Sequence, residues 1–234
     1  MKYISSLVFL VSVTFSSLVF SQVGIKYDIN ASNPLGVVAA MDKFYASSTG
    51  QAGSGSVTLY QYVANGDNPA THALLVSFSD FEDMQSTFAR NALSQDWATF
   101  LLELNSAAEQ VSSVMFRSTG LNGGDPSKVT SANTANYWTY ISVSNPSTYA
   151  SAWQALIAQN ADVDFTSGLT EILAHGKSDI THVITQRAND LPTLLGTPNS
   201  DLNGWGDFVS SVSGTRTVIT RDVLTSLMNW TNAN

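Results

Sequence analysis

Apolar and polar positions along this chain recur in an order that predicts strand, helix, strand, strand, helix, strand, and then the same order again. In the first copy, alternation from about Ile25 to Ala31 predicts a strand. Asn33 then stands where a helix N-cap belongs, with Pro34 at the first helical position. Leu35, Val38, Met41 and Tyr45 follow at helical spacing to about Ala46. Gly50 to Gly55 reads as a turn, and Val57–Val63 as a strand with Tyr60 and Tyr62 on one face. Asn65-Gly66-Asp67-Asn68-Pro69 is a second turn. The nearly unbroken apolar run His72–Phe78 predicts a central strand. A helix capped by Ser79 or Asp80 follows, with a break near Ser94, and carries Trp97, Phe100, Leu101 and Leu104. Glu109–Arg117 reads as the closing strand.

The second copy predicts strands at Tyr137–Val143, Leu169–Ala174, Thr181–Gln186 and Arg216–Asp222. Its first helix runs from Pro146 to about Gln159, with Tyr149, Trp153, Leu156 and Ile157 inward. A second helical region around Leu194, Trp205 and Phe208 is broken by Pro198 and Gly204. The tail from Val223 to about Trp230 reads as a short helix.

Four landmarks in the same order mark a duplication. Ser32-Asn33-Pro34 matches Ser144-Asn145-Pro146, and Thr71-His72 matches Thr181-His182. Trp97 with Phe100 matches Trp205 with Phe208, and Val114-Met115-Phe116-Arg117 aligns with Val218-Ile219-Thr220-Arg221. The organisation expected is a first repeat at 22–118, a linker at 119–135 with turn-rich composition, and a second repeat at 136–234.

The passage Val76-Ser77-Phe78-Ser79-Asp80-Phe81-Glu82-Asp83-Met84-Gln85-Ser86-Thr87-Phe88 resembles the strand-to-helix junction of the dimeric α+β barrel superfamily. That superfamily includes antibiotic-biosynthesis-type monooxygenases, EthD-like proteins and stress-responsive barrel proteins. The βαββαβ order is its ferredoxin-like unit. The fold expected is therefore α+β, with two ferredoxin-like repeats packed as a single-chain α+β barrel. A lone unit leaves one sheet face bare, and a fused twin would cover it. A monomer is the expected state.

Composition narrows the chemistry. Of 234 residues, 10 are Lys or Arg against 18 Asp or Glu, a net charge of −8 that argues against nucleic acid as a partner. With no Cys, disulfides, thiolate metal sites and Cys nucleophiles are excluded. Residues 1–21 read as a secretory signal peptide: Lys2 supplies the positive start and Leu7 to Phe20 the apolar stretch, and small residues flank a cut after Ser21. After cleavage no segment is long and apolar enough to predict a membrane span, and the destination expected is periplasmic or extracellular.

No P-loop, His-Glu-x-x-His, Gly-x-Ser-x-Gly or dinucleotide fingerprint occurs, and no metal site is expected. The candidate ligand-binding residues are His72, His175, His182, Tyr60, Tyr62, Trp97 and Trp205. His72 and His182 could supply protons or bind an iron porphyrin at the barrel mouth, or simply anchor the start of a strand. His175 has no counterpart in the first copy, as a specialised site or an ordinary turn residue would have it. The tyrosines could line an aromatic space between the sheets, and the tryptophans either the core or an apolar pocket under the helices. The leading expectation is a protein that binds a small apolar or aromatic molecule between the two sheets, with no cofactor required by the sequence. A cofactor-independent or haem-dependent monooxygenase-like enzyme is the alternative, and a structural or protein-interaction module the second alternative.

Overall fold

Asn33 and Asn145 start the two halves of the molecule in the same way. The side chain of Asn33 accepts a hydrogen bond from the Gly36 amide, and that of Asn145 from the Thr148 amide, with Pro34 and Pro146 in the first turn of each helix. A computed structural model describes residues 22–175 and 179–231; the expected signal segment, 1–21, lies outside the described residues. The first repeat comprises β1 (Val23–Ala31), α1 (Pro34–Ala46), α2 (Ser48–Gln51), β2 (Ser56–Ala64), β3 (His72–Phe78), α3 (Phe81–Ala92), α4 (Gln95–Ala107) and β4 (Ala108–Gly123). The second comprises β5 (Ala135–Val143), α5 (Pro146–Ala158), β6 (Phe165–Ala174), β7 (His182–Ala188), α6 (Leu191–Gly196), α7 (Trp205–Ser211) and β8 (Arg216–Trp230).

All strand pairs are antiparallel, and they close into one barrel in the order β1-β3-β2-β8-β5-β7-β6-β4. Closure depends on two long strands. β4 pairs with β1 of its own repeat and then with β6 of the other. β8 pairs with β5 and then with β2. Each repeat therefore lends the far half of its last strand to its twin, and among the described residues no edge is left open to a foreign strand. The α+β barrel expected from the sequence is the fold observed.

Three local expectations change. The tail from Val223 to Trp230 is strand, the second half of β8. Its short apolar run suits helix or strand alike, and the otherwise unpaired edge of β2 decides. Residues 119–123 of the expected linker are likewise strand, with Asn122 opposite Gly168 and Gly123 opposite Ser167. Gly124 then turns the chain at φ +78°, where a Cβ would meet the Phe165 carbonyl oxygen at 2.1 Å. Finally, Arg117 and Arg221 are not equivalent. Tyr27 pairs with Ser113 and Thr139 with Arg221, so the counterpart of Arg221 is Ser113 and the sequence alignment slips by four residues. The break expected near Ser94 is present: its Oγ accepts from the Trp97 amide and starts α4 as a separate helix.

Each strand divides its residues between two faces. The outer face packs under helices, as Ile29, Leu59 and Leu74 do in the first repeat and Ile141, Leu169 and Ile184 in the second. The inner face fills the barrel with Tyr60, Ala73, Trp138, Tyr140, Val183 and Leu224. Among the described residues no helix is long and apolar enough to cross a membrane.

Candidate functional site

The barrel interior holds a buried charge cluster. Lys26 and Asp28 stand two apart on β1, so both point inward. Lys26 Nζ lies 2.9 Å from Asp28 Oδ1 and 3.6 Å from Asp222 Oδ2, and donates to the Tyr62 hydroxyl at 2.8 Å. Tyr62 donates onward to Asp28 at 2.6 Å, and Ser112 donates to its other oxygen at 2.7 Å. The ammonium also sits 5.2 Å from the ring centres of both Trp138 and Tyr140. Burial opposes the charge on Lys26, but Tyr140, Tyr62, Asp28 and Asp222 outweigh it and hold its pKa well above the ordinary lysine value. Burial also works against charged Asp28, yet Lys26 and the hydroxyls of Tyr62 and Ser112 win and lower its pKa. Asp222 receives less help, and burial raises it.

The space expected between the sheets is thus occupied by side chains. An apolar opening lies elsewhere, between the outer face of the first repeat's sheet and its helices, with a volume of about 330 Å³. Tyr27 and Val76 form part of its floor. Its walls include Met41 and Phe44 of α1, Phe88 of α3, and Trp97 and Phe100 of α4. Phe44, Trp97 and Phe100 form a triad with ring centres 5.0–5.2 Å apart. No Lys, Arg, Asp, Glu or His lines this cavity among the described residues. Asn91 is its most buried amide, 7% exposed, and its Oδ1 has no partner among the described residues.

The same place in the second repeat is nearly full, with about 100 Å³ open. Strand and helix starts align 112 residues apart, so Val37 and Met41 correspond to Tyr149 and Trp153. Tyr149 and Trp153 reach Phe208 at ring-centre distances of 5.7 and 6.1 Å, and the Trp153 indole lines the small cavity where Met41 lines the large one.

The structure distributes the seven candidate residues over several places. Trp97 lines the large cavity and Trp205 the small one. Tyr60 and Tyr62 face the barrel interior, where Tyr60 packs on Trp138 and Tyr62 joins the charge cluster. His72 and His182 are buried, and each ring Nδ1 lies 2.9 Å from the hydroxyl of the preceding threonine. Thr71 Oγ1 also accepts from the Ala31 amide, and Thr181 Oγ1 from the Val143 amide, so both pairs fasten the end of one strand to the start of another. Burial lowers the pKa of both imidazoles, with Glu171 opposing the shift at His182. His175 packs against Tyr140 at 6.5 Å. Lys26, Asp28 and Asp222 were not singled out from the sequence, although a Lys and an Asp two apart in an apolar strand carry the signal of charges turned to one face.

A haem needs an axial donor. No His or Cys lines the large cavity among the described residues, which leaves Met41 and the phenols of Tyr27 and Tyr45. Burial pushes both phenols up, Tyr45 to about 12, against the phenolate that iron would require. This donor set does not fit haem. Among the described residues no group of three or more His, Cys, Asp or Glu is placed to hold a metal ion.

The sequence matches no protein-family model and no curated protein. Solved structures do match in shape. An anthrone oxidase-like protein is 10% identical with a TM-score of 0.58, covering 92% of this chain and 94% of its own. A suggested monooxygenase of Fusobacterium nucleatum is 12% identical with a TM-score of 0.58, covering 90% and 93%. A haem-binding protein of Thermus thermophilus is 12% identical with a TM-score of 0.54, covering 89% and 92%. At such identities the likeness concerns shape alone. Closed barrel, repeat order and near-complete coverage together give this chain the dimeric α+β barrel fold, with both halves supplied by one polypeptide.

Proposed function

We propose that this protein is exported and binds one flat, largely apolar aromatic molecule per chain, in the helix–sheet cavity of the first repeat. The observation that carries the reading is the difference between the repeats. Met41 lines a space of about 330 Å³ in the first repeat, and its counterpart Trp153 lines one of about 100 Å³ in the second. An apolar cavity of roughly 150 Å³ takes up one benzene ring, so the larger space suits two or three fused rings. Its uncharged lining selects against ionic ligands. The proposed export rests on the Lys2 to Ser21 pattern, and N-terminal sequencing of the secreted protein should start at Gln22. Closure of the barrel within one chain supports a monomer, which size-exclusion chromatography tests.

Titration with 1-aminoanthracene, followed by its fluorescence, tests the site. One molecule should bind per chain, with a blue shift, and Met41→Trp should abolish binding by reproducing the filled arrangement of the second repeat. An absence of saturable binding, or binding untouched by Met41→Trp, overturns the reading. A second reading, oxygen-dependent conversion of such a molecule, is supported by the names of the anthrone oxidase-like and monooxygenase neighbours. It requires oxygen consumption when a reduced tricyclic aromatic is added. The lining holds no carboxylate, imidazole or amine, and burial raises its two phenols, Tyr27 and Tyr45, which favours binding over turnover.

A further inference from the structure

The small cavity of the second repeat has a chemistry of its own. Arg216 and Arg221 on β8 are five residues apart, a spacing that puts side chains on opposite faces of a regular strand. A bulge intervenes: Tyr140 pairs with Thr220 but Ile141 pairs with Val218. The extra residue brings Arg216 and Arg221 onto the same face, opposite Val143 and Thr139, under the helices. Both line the cavity of about 100 Å³, and no Asp or Glu joins them there among the described residues. Neither arginine forms an ion pair among the described residues, whereas Arg117 is bound to Glu171. Their counterparts in the first repeat are Ala108 and Ser113, so this pair of charges belongs to the second repeat alone.

A further donor borders the same cavity. Trp153 lines the cavity, is 5% exposed, and its Nε1 has no acceptor among the described residues. Arg216 lies over the Phe208 ring at 5.5 Å, which steadies the guanidinium from one side, and Arg221 is exposed. Two guanidinium groups and an indole N–H without a carboxylate form a donor set that matches an anion. The volume equals roughly three waters, enough for an anion of a few heavy atoms.

We infer that the second repeat binds a compact oxyanion, a short carboxylate or an inorganic oxyanion, between Arg216, Arg221 and Trp153. This site is separate from the aromatic cavity and stands or falls independently of it. The test follows the five indole N–H resonances of the full chain by NMR during titration with sodium acetate and, separately, sodium sulfate, at constant ionic strength. The Trp153 resonance, assigned with Trp153→Phe, should shift saturably with a Kd below about 10 mM. Arg221→Gln, at an exposed position that tolerates exchange, should weaken binding about tenfold, and Arg216→Gln similarly. Arg117→Gln should leave the midpoint unchanged. Saturation by acetate alone identifies a carboxylate ligand and by sulfate alone an inorganic one; either upholds the site. A shift that never saturates, or midpoints unmoved by both arginine substitutions, overturns it.

Discussion

Lys26 and Trp138 occupy equivalent positions of the two repeats, 112 residues apart, and meet inside the barrel with the ammonium 5.2 Å from the indole ring centre. The duplication has turned one inward-facing strand position into a cation and its copy into the aromatic surface that the cation rests on. The charge is buried at 2% exposure, and Asp28 and Asp222 balance it from opposite repeats.

Removing that cation should therefore be severe. Lys26→Met leaves two carboxylates buried beside tyrosines, and should cost about 3–5 kcal/mol in urea denaturation. Lys26→Met combined with Asp28→Asn should recover part of the loss. A stability equal to the unaltered chain would refute the keystone role of Lys26.

The two carboxylates should respond to substitution with opposite sign. Asp28 is lowered in the folded chain, so its charged form stabilises the fold above the ordinary aspartate pKa, and that contribution is lost as pH falls through the folded value. Asp28→Asn should cost about 2 kcal/mol at pH 7, and the deficit should shrink at pH 3. Asp222 is raised, so its contribution is present below the ordinary value and lost as pH rises through the folded one. Asp222→Asn should match the unaltered chain at pH 3 and gain on it toward pH 7. Melting temperatures over that range decide; the buried histidines titrate alike in all the chains compared. Parallel curves for the two variants would contradict the assignment.

The threonine fasteners should be interchangeable in strength. Thr71→Val removes the acceptor of the Ala31 amide, and Thr181→Val that of the Val143 amide. Each should lower stability by about 1 kcal/mol, with the two losses additive because the sites are separate. Chemical denaturation of both single variants and the double variant gives the comparison.

The end of β8 should act as a latch on the first repeat. Trp230 is 7% exposed in the first repeat's core, and its Nε1 donates to Asp42 at 2.7 Å. Trp230→Ala should cost about 3–5 kcal/mol. Ending the chain after Asp222 should do more, because it bares the edge of β2. Size-exclusion chromatography should then show association in place of a single species; a discrete monomer would count against the latch.

Much of this fold is legible in the order of residues alone. Paired Ser-Asn-Pro segments, paired Thr-His segments and period-two strands give the element order, since caps and alternation are local. The candidate site is less legible. His72 and His182 are conspicuous as residue types, yet the structure ties each to its neighbouring threonine. The cavity is lined by Met41 where the second repeat has Trp153, and a missing bulk is visible only against the fuller copy.

The sequence by itself determined two βαββαβ halves, because caps, turns and face alternation act within a few residues of one another. Tertiary structure alone decided where β8 continues, which face each arginine takes after the bulge, and which of two like spaces stays open. Those outcomes depend on partners far away in the chain: an unpaired edge, an added residue that shifts the register, and side-chain volumes meeting across a helix–sheet gap.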